Sequence, residues 1–178
     1  MDRPPLPGSA QEALEAFLGR WTGTTQWAAT RWGPARTTAA EMTFSRVAAG
    51  FAVTASYCHI EADGNRSEGQ GVFTAYPDHP DMLLYFVNSR GLPREPPAQA
   101  SWLGGILTVD RRSERGTARH TFEVAGNVMT HTAGLRLGAA TEFTRFMTSV
   151  GQRAPDPGPG SRLKAPEPVP AVPRLERA

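Results

Sequence analysis

The chain has 178 residues, 39% of them apolar, with four tryptophans and a formal charge of +2. That is one domain's worth of chain with material for a core. Arg153, Arg162, Lys164, Arg174 and Arg177 against Asp156, Glu167 and Glu176 account for the whole charge, so residues 1–150 are formally neutral and carry no clustered basic face of the kind nucleic-acid binding needs.

Residues 1–8 read as an N-terminal extension. MDRPPLPGS lacks the charged n-region and apolar h-region of a signal peptide. SAQEALEAFLG then predicts a short helix. Ser9 caps it, Glu12 three residues on completes a capping box, Leu14, Phe17 and Leu18 form the apolar stripe, and Gly19 ends it.

From 20 to 150 the pattern is all strand. RWTGTTQWAA, AAEMTFSRV, FAVTASYCHI, GQGVFTAY, MLLYFVNS, AQASWLG, GILTVDR, ARHTFEV, VMTHTAGLRL and TEFTRFMTSV are rich in strand formers. Turn residues such as Asp63-Gly64-Asn65, Pro77-Asp78-His79-Pro80 and Glu114-Arg115-Gly116 separate them. About ten antiparallel strands without a second long helix predict an all-β sandwich or a closed barrel. No apolar run approaches the ~20 residues of a membrane-spanning helix. The expected location is cytoplasmic. Cys58 is the only cysteine, so no internal disulfide can form.

Residues 151–178 hold seven of the sixteen prolines and read as a disordered proline-rich tail. The organisation is therefore an extension at 1–8, a barrel domain at 9–150 and a tail at 151–178.

Residues 119–132, RHTFEVAGNVMTHT, carry two of the four histidines around a Gly126-Asn127 turn. Glycine leads a type II′ turn, which pairs Ala125 with Val128, Val124 with Met129 and Phe122 with His131. Strand alternation then puts His120, Phe122, Val124, Met129, His131, Ala133 and Leu135 on one face and Arg119, Thr121, Glu123, Val128, Thr130, Thr132 and Arg136 on the other. The first face is the more apolar and should be the inner one. A four-residue loop at 113–116 pairs Val109 with His120 and Leu107 with Phe122. A three-residue loop, Gly138-Ala139-Ala140, pairs Leu135 with Phe143 and His131 with Met147. His120 and His131 are then diagonal neighbours, roughly 7–8 Å apart at Cα. Two imidazoles make an incomplete metal site, since zinc takes three or four ligands, and no metal is expected. The register around Asp63–Asn65 leaves the facing of His59 and Tyr57 open.

Other chemistry is sparse. No Gly-x-Ser-x-Gly elbow or phosphate-binding Gly-x-x-x-x-Gly-Lys loop occurs. Gly69 and Gly71 suggest a bulge or bend. Asp110, Arg111 and Arg112 read as a solvated rim. Trp27, Trp32 and Trp102 read as rim or core packing with access to a cavity mouth. The loop 89–97 is the longest inside the domain and reads first as an ordinary proline-stiffened connection; the alternative is a gate at a barrel mouth, with Arg90 and Arg94 meeting an anionic head group.

Gly19-Arg20-Trp21 opening the first strand resembles the signature of the calycins, the lipocalin-like superfamily. FLGRWTG, RVAAGFAV, YFVNSRG and TRFMTSV are similar to a family of small bacterial lipocalin-like proteins of unassigned function. The resemblance covers residues 12–150. It implies an up-and-down β-barrel with an N-terminal plug helix over the closed end, and an arginine of the last strand packed across the tryptophan. Arg145 is the residue expected there. Nitrobindin, a heme-binding ten-stranded barrel, is a more distant resemblance. Its late-strand histidine has no counterpart in TEFTRFMTSV, and His131, one strand earlier, is the substitute that heme would need.

The expected function is binding of a small apolar or amphiphilic molecule inside the barrel, without chemistry. Leu107, Phe122 and Met129 are the expected walls, and Tyr57, His120 and His131 the polar handles. The alternative is an isomerase or cyclase acting on a bulky apolar metabolite, with His120 or His131 as general acid or base. A third reading makes the proline-rich tail a partner-binding segment. The expected partner is a small hydrophobic molecule, with neither nucleic acid nor membrane, and a homodimer is compatible with the pattern.

Overall fold

The structure, a computed structural model, describes residues 9–75, 81–89, 91, 95–114 and 116–155. One helix, α1 (Ala10–Glu15), precedes ten strands: β1 (Gly19–Trp27), β2 (Arg36–Val47), β3 (Ala52–Ile60), β4 (Arg66–Ala75), β5 (Asp81–Asn88), β6 (Ala98–Leu103), β7 (Ile106–Ser113), β8 (Gly116–Ala125), β9 (Val128–Leu137) and β10 (Thr144–Arg153). Each strand pairs antiparallel with its sequence neighbour, and β1 pairs with β10, which closes the barrel and leaves no free edge. The fold expected from the strand count is the one found, as a barrel and not a sandwich. Among the described residues, no helix is long and apolar enough to cross a membrane.

α1 begins as the capping pattern predicts, with the Glu12 backbone N–H donating to Ser9 Oγ at 3.2 Å. It ends earlier than Gly19: Ala16 is the C-cap, and Gly19, at φ +111°, opens β1 instead. The helix closes one end of the barrel. Ala10, Ala13, Leu14 and Phe17 are buried there, and the rings of Phe44, Trp102 and Phe122 surround Phe17 at 5.7–6.3 Å. Burying Leu14 and Phe17 contributes about 1.5–3 kcal/mol each.

The β8–β9 hairpin has the predicted register. Phe122 pairs with His131, Val124 with Met129 and Ala125 with Val128. Gly126 has φ +60° while Asn127 is not among the residues of positive φ, the combination a type II′ turn requires. Val109–His120 and Leu107–Phe122 also pair as expected, across a tighter loop in which Ser113 pairs with Gly116.

β10 departs from expectation. Leu135 pairs with Thr144, not Phe143, and a bulge between Arg145 and Met147 shifts the register again, so that His131 faces Ser149, not Met147. A bulge inserts one residue, so the positions on its two sides have opposite facing relative to an unbroken alternation. Met147, Ser149 and Gly151 are buried, whereas Arg145 is exposed. The arginine over Trp21 is Arg153, not Arg145, because Arg153 is the strand partner of Trp21 whereas Arg145 pairs with Gly134 at the other end of β10. Its guanidinium carbon lies 4.2 Å from the Trp21 ring centroid. It also donates to the carbonyl oxygens of Leu18 and Ala16, the latter at 2.9 Å, which caps the end of the plug helix. The barrel thus extends three residues past the expected boundary at 150, and the remaining tail from 156 lies outside the described residues.

Gly69 and Gly71 form no bulge, because β4 keeps an unbroken register with β3 and β5. They are inward positions over which large side chains lie. A Cβ on Gly69 would come 2.4 Å from Tyr57 Cε1, and one on Gly71 would come 2.6 Å from a Leu84 methyl carbon.

Candidate functional site

Above the plug the barrel interior holds a partly open cavity of about 270 Å³. Aromatic and aliphatic side chains from most strands line it, among them Trp27, Phe73, Leu84, Phe86, Phe122 and Phe146. Of the predicted ligand-binding residues, Tyr57, His120, Phe122 and His131 border this space. Leu107 and Met129 do not. Both are fully buried in the core cluster with Phe17, at the plugged end, because they lie further along their strands from the open end than Val109 and His131. They are floor, not wall.

The histidines do meet. His120 Nδ1 and His131 Nε2 are 3.0 Å apart. The His131 ring stacks on Phe122, with centroids 4.0 Å apart and planes 13° apart. His131 Nδ1 is buried without a hydrogen-bond partner. A bare lone pair is the cheaper group to strand there, since orphaned N–H groups are the rarer defect. That assigns the proton to His131 Nε2, which donates to His120 Nδ1, and leaves His120 Nε2–H as a donor on the cavity side.

Burial pushes the His120 pKa down to about 3, with the Arg111 charge adding to the effect. Part of the His120 ring remains accessible, but that surface faces the barrel interior, so desolvation dominates. His131 is held well below the ordinary imidazole range by burial, then by His120 and His59. Both rings are neutral throughout the physiological range.

The structure settles the facing of Tyr57 and His59: both point inward. His59 Nδ1 lies 3.1 Å from Thr25 Oγ1, which lies 2.6 Å from Ser149 Oγ. The edge of Trp27 and the ring of Tyr57 pack against His59 at 5.2 and 5.1 Å, and Phe86 stacks on Tyr57. A polar band therefore crosses the interior from His120 through His131 and Ser149 to Thr25 and His59. Among the described residues, no three His, Cys, Asp or Glu groups gather as a metal site. Heme would need an imidazole lone pair facing open space. His131 does not fit that role, because His120 occupies Nε2 and Nδ1 is enclosed.

Arg111 does not belong to a solvated rim. It lines the cavity, lies 4.2 Å over the Phe86 ring and pairs with Glu95. A signal for this exists in the sequence: Leu107, Val109 and Arg111 share one strand face, and the first two are core. Asp110, on the other face, is bound by both ends of the Arg119 guanidinium at 2.7 Å, which holds its carboxyl below the ordinary range. Trp27 lines the cavity, Trp102 packs at the plug, and Trp32 is exposed. Arg90 and Arg94 lie outside the described residues.

No known family pattern matches the chain, and no curated protein matches it. Solved structures do. The crystal structure of Rv2717c from M. tuberculosis is similar in fold at a TM-score of 0.65 and 14% identity, covering 85% of this chain and all of that one. EF1p2_mFAP2b bound to DFHBI matches at 0.44 and 14% identity, over 82% of this chain and 100% of that one. A redesigned β-barrel, b11L5F_LGL, matches at 0.45 and 15% identity, over 83% of this chain and 99% of that one.

Proposed function

We propose that this protein binds one small apolar or amphiphilic molecule in the barrel interior, without chemistry. The observation that carries this reading is the interior cavity itself: an aromatic wall above a plugged floor, with polar groups confined to a few fixed positions. Its volume, about 270 Å³, lies just below the roughly 300–1,000 Å³ typical of ligand pockets, which favours a compact guest. The Trp21–Arg153 contact beside the plug helix supports placing the barrel in the calycin group.

Acid–base catalysis by His120 or His131 is the weaker reading. A general acid or base works best with a pKa near the operating pH, and both imidazoles are held far below it. Their neutral, stacked and mutually bonded state suits a fixed polar handle.

Native mass spectrometry tests the proposal. The protein incubated with N-phenyl-1-naphthylamine, a neutral apolar probe, should retain one molecule and lose it on denaturation. Absence of any one-to-one complex would contradict the reading.

A further inference from the structure

Arg111 is the one cation that the described residues place around the cavity near His120, and Glu95 is their one acid there. The Arg111 side chain is only 16% exposed. Its Nε and Nη2 both contact a single oxygen, Glu95 Oε2, at 3.0 and 2.8 Å. A guanidinium offers a planar fork that matches both oxygens of a carboxylate in parallel, whereas Glu95 meets both nitrogens of the fork through one oxygen. Glu95 is not part of the barrel wall. It lies in the connection three residues before β6. Val109 pairs with His120 and Arg111 with Ala118, so His120 and Arg111 are diagonal on the inner face of adjacent strands. The cavity-side donors, Arg111 and His120 Nε2–H, thus stand together at one end of a chamber whose wall is mainly apolar.

We propose that the ligand is an amphiphilic monocarboxylic acid. Its apolar body lies against Phe122, Phe86 and Tyr57, and its carboxylate takes Arg111 in place of Glu95, with His120 as a second donor. This rests on the binding function proposed above and names the ligand class. Glu95 then acts as an internal stand-in that keeps Arg111 paired while the cavity lacks an acid. The exchange swaps one carboxylate for another on a buried cation, so Arg111 is never left uncompensated, and Glu95 moves outward into water.

Calorimetric titration at pH 7.5 with decanoate, decanamide and decanol, and with 2-naphthoate and 2-naphthamide, tests this on the full chain. At least one acid should bind ten-fold or more tightly than its own amide, and which acid does so separates an aliphatic from an aromatic body. Arg111→Gln should erase that preference while amide binding persists. Glu95→Gln keeps the arginine and the shape, and should tighten the acid several-fold with no change for the amide. Amides that bind as tightly as their acids, or a Glu95→Gln variant with unaltered acid affinity, would overturn the acid assignment and leave the cavity function standing. Failure of every probe to bind would overturn both.

Discussion

Arg153 lies 4.2 Å over the ring of Trp21 and donates to the Ala16 carbonyl oxygen at 2.9 Å, so one side chain ties the last strand to the first and to the plug helix. The cation–π contact contributes about 0.5–2 kcal/mol, and hydrogen bonds from a charged donor about 1.5–3 kcal/mol. Arg153→Gln should therefore cost about 2–4 kcal/mol in urea unfolding. Arg145→Gln, at an exposed position of the same strand, should stay within about 0.5 kcal/mol of the parent. Equal costs for the two variants would contradict this division of roles.

The two interior imidazoles make stability depend on pH in a definite direction. In the unfolded chain a histidine takes up a proton near 6.5, whereas folded His120 takes one only near 3, and His131 is lowered in the same sense. Between these limits the unfolded state binds more protons, so stability falls as pH falls below about 6.5. Asp110, also lowered in the fold, adds to the loss only as pH falls below the ordinary 3.8 of its carboxyl. Each imidazole contributes a slope of about 1.4 kcal/mol per pH unit within its window. Urea midpoints at pH 6.5, 5.5 and 4.5 should show this decline, and His131→Gln should flatten it by about that amount. A slope unchanged by His131→Gln would contradict a buried neutral ring.

Gly69 is small because Tyr57 lies on it. Gly69→Ala places a methyl carbon 2.4 Å from Tyr57 Cε1, which the ring must move to avoid. The displaced ring would disturb Phe86 and His59, both packed against it. The expected cost is about 1–3 kcal/mol. A Tyr57→Leu background should absorb part of it, so the double variant should lose less stability than the two single losses combined. Strict additivity would contradict the contact.

Much of this architecture is legible in the sequence. Period-two alternation locates the strands, and the Gly126-Asn127 turn fixes one register, from which the inward His120, Phe122 and His131 follow. What escapes is what alternation cannot encode. The β10 bulge adds one residue without a glycine or proline to announce it, so His131 meets Ser149 where an unbroken register leads to Met147. Arg145 and Arg153 share one facing under unbroken alternation, and only the register against β1, which puts Arg153 opposite Trp21, separates them. Gly69 and Gly71 suggest a backbone defect, yet their cause is the bulk of Tyr57 and Leu84 on neighbouring strands. Leu107 and Met129 share the facing of the wall residues and differ only in depth, which alternation does not report. Arg111 escapes for a different reason: its charge suggests solvent, although Leu107 and Val109 on the same face point inward.

The central claim is that the interior is the binding site, and a fluorescence titration with N-phenyl-1-naphthylamine tests it most directly. Ala118 lines the cavity beside Arg111, so Ala118→Trp should fill the chamber with an indole. Saturable one-to-one binding to the parent protein is predicted, with a loss of affinity of ten-fold or more in Ala118→Trp and the fold intact by circular dichroism. Equal affinity in the two proteins would place the probe outside the barrel and contradict an interior site.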